Sequence, residues 1–256
     1  MAPEASLSHL HRADGSATYI HNGYCIIGAV NGPIEVMRRD EMPEEATIEV
    51  NVRPAAGVGS PKERHLETLL HSTLRSIILT RNIPRTLVQI TLQVRSLPEE
   101  DGTSGVNTSL TLLPHLLNTA LLALLSASIP LRTILTSLLI ALPTPTPKMK
   151  QPVPILSPTS TELFRTQPIA SLHVFAFSAD RKLLLSESEG TFKYAEWEEA
   201  YEMAEEVCCR DQGGVGLGGG EGMEVDGEEA SANLEEWLRG VVRRKVEVEQ
   251  RWRSAT

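Results

Sequence analysis

The chain has 256 residues, 41% of them hydrophobic, which suits one large domain or two halves sharing a core. A formal net charge of -9 excludes a protein that grips nucleic acid over its whole surface, while leaving room for a local basic track. Cys25, Cys208 and Cys209 form no CxxC pair and no zinc-ligand spacing, so neither a disulfide framework nor a zinc module is expected, and a reducing intracellular compartment is the simpler reading.

Residues 1–10 read as a flexible N-terminus without the apolar core of a secretory signal. A strand meander follows: 17–20, a turn at His21-Asn22-Gly23, 24–30, a turn at Asn31-Gly32-Pro33, then 34–38, because Asn-Gly between apolar runs signals a hairpin. "TIEVNVR" sets Ile48, Val50 and Val52 against polar neighbours, the alternation of a half-buried strand. A helix begins at Ser60, with Pro61 in its first turn, Glu63 completing a capping box and leucines 66, 69, 70 and 74 on one face. It is expected to end near Asn82. "LVQITLQV" (87–94) alternates as another strand.

The run from Leu110 to Pro130 approaches the roughly 20 residues of a bilayer span. Pro114, His115, Asn118, Ser126 and Ser128 interrupt it and no basic flank or aromatic belt borders it, so a buried core helix is predicted. "RTILTSLLIAL" (132–142) reads as a buried strand, and residues 143–168 as a Pro/Thr-rich surface insertion, irregular and partly disordered. A hairpin is expected around Ala179-Asp180, then a helix over 194–210 with Trp197, Tyr201, Ala204 and Cys208 on one face. Residues 211–232 are Gly-rich and acidic, lack the GxxxxGK[ST] phosphate-loop pattern and read as a linker; 233–256 holds a last amphipathic helix with the run "RRK". The order of elements predicts an α+β protein with mixed sheets packed against helices in two similar halves.

Few side chains point to chemistry on their own. His9, His11 and His21 lack metal-site spacing, and Arg38-Arg39 is balanced by neighbouring acids. For Arg243 to Arg253, an RNA or subunit contact and a solvated helix face stand about even. Aromatic residues make up 4% of the chain and show no platform for stacking bases, so RNA contacts would fall on phosphates.

Several blocks together resemble the RNase PH family, and within it the ring subunits of the eukaryotic RNA exosome. They are "RADGSA" (12–17), "GPIEV" (32–36), "EEATIEVNVRPAAG" (44–57), "ERHLE" (63–67), "PRTLVQITLQV" (84–94), "ASIPLR" (127–132) and "DRKLLLSESEGTF" (180–192), in the family's order. The resemblance implies an RNase PH fold over residues 11–210: two βαβ-containing halves of the type found in a ribosomal-protein domain, six such subunits closing a ring around single-stranded RNA. Active members use phosphate to release nucleoside diphosphates from RNA 3′ ends. That chemistry needs cationic and backbone donors for phosphate and a pair of acids for a metal or a proton.

At the positions matching the family's Gly-Gly-Thr-Arg-Thr loop this chain has Asp101, Gly102, Thr103, Ser104 and Gly105, so Ser104 replaces the arginine. An anion held without a cation loses much of its binding energy. Ser157 stands at the first acid and Leu163 at or beside the second, with Glu162 the nearby carboxylate. On the first helix Arg64 and Glu67 match, whereas a second basic position falls on Leu70. Arg64 is either one half of an i,i+3 surface pair or a residual RNA contact.

The resemblance therefore implies a non-catalytic ring subunit without cofactor or metal, with Arg64, Thr103 and Ser104 as candidate RNA-binding residues. Its implied partners are other RNase PH-like subunits in a hetero-hexameric ring, RNA-binding cap subunits, a hydrolytic exonuclease and single-stranded RNA, with no membrane. The implied location is the nucleus, nucleolus included, and the cytoplasm. The competing expectations are an active phosphate-dependent exoribonuclease with a site completed by a partner, and a free RNA-binding protein, which the net charge disfavours.

Overall fold

The computed structural model describes residues 3–98, 108–144, 154–166, 168–209 and 233–254. Strands β1 (Glu4–Leu7), β2 (Gly15–His21), β3 (Tyr24–Glu35), β4 (Thr47–Arg53) and β5 (Thr86–Ser96) form a sheet in the order β1-β2-β3-β5-β4. Helix α1 (Pro61–Ile77) links β4 to β5 and makes that pair parallel, as a helical crossover allows; the other pairs are antiparallel. Strands β6 (Leu135–Pro143), β7 (Ile155–Leu156), β8 (Ile169–Ser178) and β9 (Leu183–Gly190) form a second sheet in the order β7-β6-β8-β9. The described strands of this sheet are antiparallel throughout. The expected α+β class with mixed strand directions is thus met by the first sheet.

Helix α2 (Thr108–Ser126) lies between the two sheets, which is why it is apolar on all sides. Its segment Ser109–Ser126 is long and apolar enough to cross a membrane, yet 89% of it is buried inside the protein. Of the polar residues that interrupt it, Asn118 finds its partners in the second sheet. Asn118 donates to the Ser137 carbonyl and accepts from the Ser137 N–H, both at 3.1 Å, and the Pro114 carbonyl accepts the Ser137 hydroxyl. Helix α4 (Tyr194–Cys208) covers the other face of this sheet, with Ala200, Ala204 and Cys208 buried beside Phe175 and Phe177. Three short or terminal helices, α3 (Ser160–Arg165), α5 (Leu234–Glu249) and α6 (Arg251–Ser254), complete the chain.

The block "RADGSA" is a packing motif. Asp14 accepts the Gly32 N–H at 2.8 Å, tying it to "GPIEV". Gly15 lets β2 meet the end of α2, since a Cβ there would fall 2.2 Å from the Ala127 nitrogen. The α1 capping box forms as the sequence predicts, with the Glu63 carboxylate accepting from the Ser60 N–H and hydroxyl. The helix stops at Ile77 rather than near Asn82; residues Thr80–Asn82 instead make a 3-10 turn, which leaves room for Pro84.

Four expectations need correction. The segment 1–10 is not wholly flexible, because Glu4–Leu7 pairs with β2 and seats Ala5 and Leu7 on the core. The Asn31-Gly32-Pro33 turn does not exist: β3 runs through it, pairing Asn31 with Gln89 and Ile34 with Leu87 around a bulge. Proline offers no N–H to the ladder, and the Gly32 N–H is already held by Asp14. Within 143–168, Ile155–Leu156 pairs with β6, and Thr159 and Glu162 cap α3 through a second capping box. Finally, the C-terminal helix is part of the main core rather than a separate unit. Leu238 and Val241 are buried, Trp237 sets its ring edge on Tyr19, and Lys245 donates to the Ser126 carbonyl at 3.2 Å. The linker at 211–232 lies outside the described residues.

Candidate functional site

The segment that carries Ser157 meets the described flanks of the family loop at one end of α2. Asn22, in the tight turn between β2 and β3, donates its side-chain N–H to the Ser157 carbonyl at 2.7 Å. Ser157 in turn donates its backbone N–H to the Leu139 carbonyl at 2.9 Å, and its φ of 44° turns the chain from β7 toward α3. The next residue of the turn, Gly23, has φ of 84°, and a Cβ on it would lie 3.1 Å from Pro98, the last described residue before the family loop. Beyond that loop, Thr111 of α2 accepts the Tyr24 hydroxyl at 2.9 Å. Ser157 and both flanks of the loop are therefore brought together by residues 22–24. Thr103 and Ser104, with Asp101, Gly102 and Gly105, lie outside the described residues.

The remaining carboxylate is committed elsewhere. Glu162 accepts the Thr159 N–H at 2.8 Å as the partner in the α3 capping box, and this backbone hydrogen bond, with that from the Thr159 hydroxyl, holds its carboxyl below the usual carboxylate range. Leu163 is buried in the main core. One carboxylate serving as a helix cap beside a core leucine is not the acidic pair that the family resemblance implies at these positions. Among the described residues no three His, Cys, Asp or Glu side chains gather as a metal-binding group.

On α1, Arg64 donates to Glu67 at 2.9 Å, and the other Glu67 oxygen accepts the Val52 N–H at the free edge of β4. The Arg64 side chain is 80% exposed, so it can meet a phosphate while the pair persists. Leu70, at the family's second basic position, is fully buried. A cavity of about 80 Å³ near the start of α1 is lined by Val52, Val94, Leu66 and Leu112, together with Lys62 and Ser109. That is far below the roughly 300–1,000 Å³ of a small-molecule site.

Behind the Tyr24–Thr111 contact sits His115, a residue that sequence reading counted only as an interruption of α2. It stacks on Tyr24 at 4.5 Å and packs against Tyr19 and His21. Its Nδ1 is buried without a hydrogen-bond partner among the described residues, and burial pushes its pKa down to about 3, so the ring is neutral. Asn22, Tyr24 and His115 carry no motif that would have marked them; their roles arise from contacts across 87 to 135 residues of sequence.

The model of the 3′ exoribonuclease family, domain 1, matches residues 3–130. The exosome complex component RRP46 of Saccharomyces cerevisiae is 31% identical over 211 residues, which span 81% of this chain and 91% of that protein. The crystal structure of rice (Oryza sativa) Rrp46 is similar at a TM-score of 0.64 and 27% identity, covering 78% of this chain and 86% of that one. The archaeal exosome core matches at a TM-score of 0.59 and 14% identity, over 80% and 82% of the two chains, a likeness of fold. These findings agree with the individual blocks "ILSPTS" and "DRKLLLSESEG", which look most like the exosome subunit called ribosomal RNA-processing protein 46.

Proposed function

Because this chain belongs to the RNase PH family, we propose that it serves as a non-catalytic subunit of the RNase PH-like ring of the RNA exosome. It helps to form the channel that guides RNA 3′ ends to a separate hydrolytic nuclease, for RNA processing and decay. The observation that carries this reading is the replacement of both halves of the family's chemistry. Ser104 brings no charge to the phosphate loop, and the acidic positions hold Ser157, whose carbonyl binds Asn22, and Leu163, which is buried.

In this role the chain packs against other RNase PH-like subunits in a hetero-hexameric ring, beside RNA-binding cap subunits, in the nucleus with its nucleolus and in the cytoplasm. Arg64, Thr103 and Ser104 are its proposed contacts with single-stranded RNA. Among the described residues β1, β4, β7 and β9 have one strand neighbour each, the kind of sheet edge that a sister subunit covers.

The test incubates the chain and its ring partners with labelled single-stranded RNA, Mg²⁺ and phosphate. No nucleoside diphosphate is expected to be released through this chain. Release that is lost on Asp101→Ala or Glu162→Ala would establish instead the active exoribonuclease with a composite site.

A further inference from the structure

The second sheet carries a feature that RNA handling does not absorb. Phe175, Phe177, Phe192, Tyr194, Trp197 and Tyr201, more than half of the aromatic residues of the chain, gather at β8 and α4. Phe175 and Phe177 fill the core, Trp197 and Tyr201 pack half-buried against them, and Phe192 and Tyr194 are exposed. Along α4, Tyr194, Trp197 and Tyr201 stack in succession, with ring centroids 6.2 and 5.6 Å apart and interplanar angles of 27° and 22°. Tyr194 is 72% exposed, and Phe192 presents its outer edge while its ring packs on His173 at 4.7 Å.

A ring stack that ends in an exposed tyrosine could receive a nucleic-acid base or a cation. The charge around them decides between the two. Glu198, Glu202 and Glu206, four residues apart, form an exposed stripe directly beside the ladder, and Glu199 is exposed on the same helix. None of the four has an ion-pair or hydrogen-bond partner among the described residues, unlike Glu196, which caps the helix, and Glu205, which faces Arg181 at 3.7 Å. A phosphodiester chain laid on the ladder would run against these carboxylates, whereas a lysine or arginine would stack on a ring and meet a carboxylate at once.

We propose that the outer face of α4 is a docking surface for a Lys/Arg-rich segment of a partner protein, held by the Tyr194–Trp197–Tyr201 ladder and the Glu198–Glu202–Glu206 stripe. The face lies on the side of the second sheet opposite α2, so it stays free while the family-site end of α2 is occupied. The proposal stands whether or not the chain acts in a ring.

Fluorescence anisotropy of a labelled peptide carrying alternating Lys and Arg, titrated with the full chain at about 0.1 M salt, tests it. Binding is expected to weaken threefold or more in Tyr194→Ala, which removes no charge, and in Glu198→Gln/Glu202→Gln. It should be unchanged in Glu247→Gln/Glu249→Gln on α5, which removes the same charge elsewhere. Circular dichroism of each variant checks the fold, and Tyr194 is exposed enough to be replaced without loss of core. Absence of peptide binding, or equal weakening by the α5 pair, would reduce the effect to net charge and overturn the proposal. A single-stranded RNA oligonucleotide whose binding depends on Tyr194 would overturn it in favour of a base-stacking site.

Discussion

His115 has an ordinary reference pKa near 6.5 and a folded value of about 3, with burial as the main cause. The sign follows directly. The unfolded chain takes up a proton below about pH 6.5 and the folded chain does not, so stability is fully present above that pH and falls as pH drops toward 3. The loss approaches about 1.4 kcal/mol per pH unit for this one group. His173, buried between Ser171 and Ser188 and lowered to about 4, contributes with the same sign. Urea unfolding at pH 7 and pH 5 should therefore show a smaller acid loss in His115→Phe than in the wild type; equal losses would mean that the ring is already charged in the fold. The family's second basic position gives a further prediction at this scale. Leu70→Arg puts an unpaired cation into a core where Leu70 is 0% exposed, and should cost about 3 kcal/mol or more, measured by denaturant titration, with no gain in RNA affinity.

Among the elements, α1 was readable in full at its start, since Ser60, Pro61 and Glu63 act locally. Ser60→Ala is expected to remove about 1 kcal/mol and lower the thermal midpoint by a few degrees. The second capping box, at Thr159 and Glu162, has the same spacing, but the surrounding prolines and threonines masked it and the segment read as irregular. β3 failed for the opposite reason. Asn31-Gly32-Pro33 has strong local turn chemistry, yet β5 pairs on both sides of it, and Asp14 takes the N–H that the bulge frees. Helix α5 depends on contacts that no local pattern encodes. Lys245→Met removes its hydrogen bonds to the Ser126 carbonyl and hydroxyl at the end of α2, and should increase hydrogen exchange in α5 while leaving α4 unchanged.

For the whole molecule, the ring reading predicts that the isolated chain gains from company. Mixed with an RNase PH-like partner, it should elute as a larger species and unfold at a higher temperature, because strands with free edges become paired. A stable monomer indifferent to every such partner would remove the basis for the ring. Much of this architecture was legible beforehand. Alternation announced β4 and β5, and the capping box announced α1. Those are signals of composition and short spacing, which the chain carries wherever it folds. Local sequence signals therefore suffice for the class of fold. The three-dimensional fold alone shows that Asn22 and Tyr24 hold Ser157 and the described flanks of the family loop together around a buried, neutral His115. That outcome depends on side chains distant along the chain sharing one small volume, where burial and hydrogen bonding reset what a residue can do.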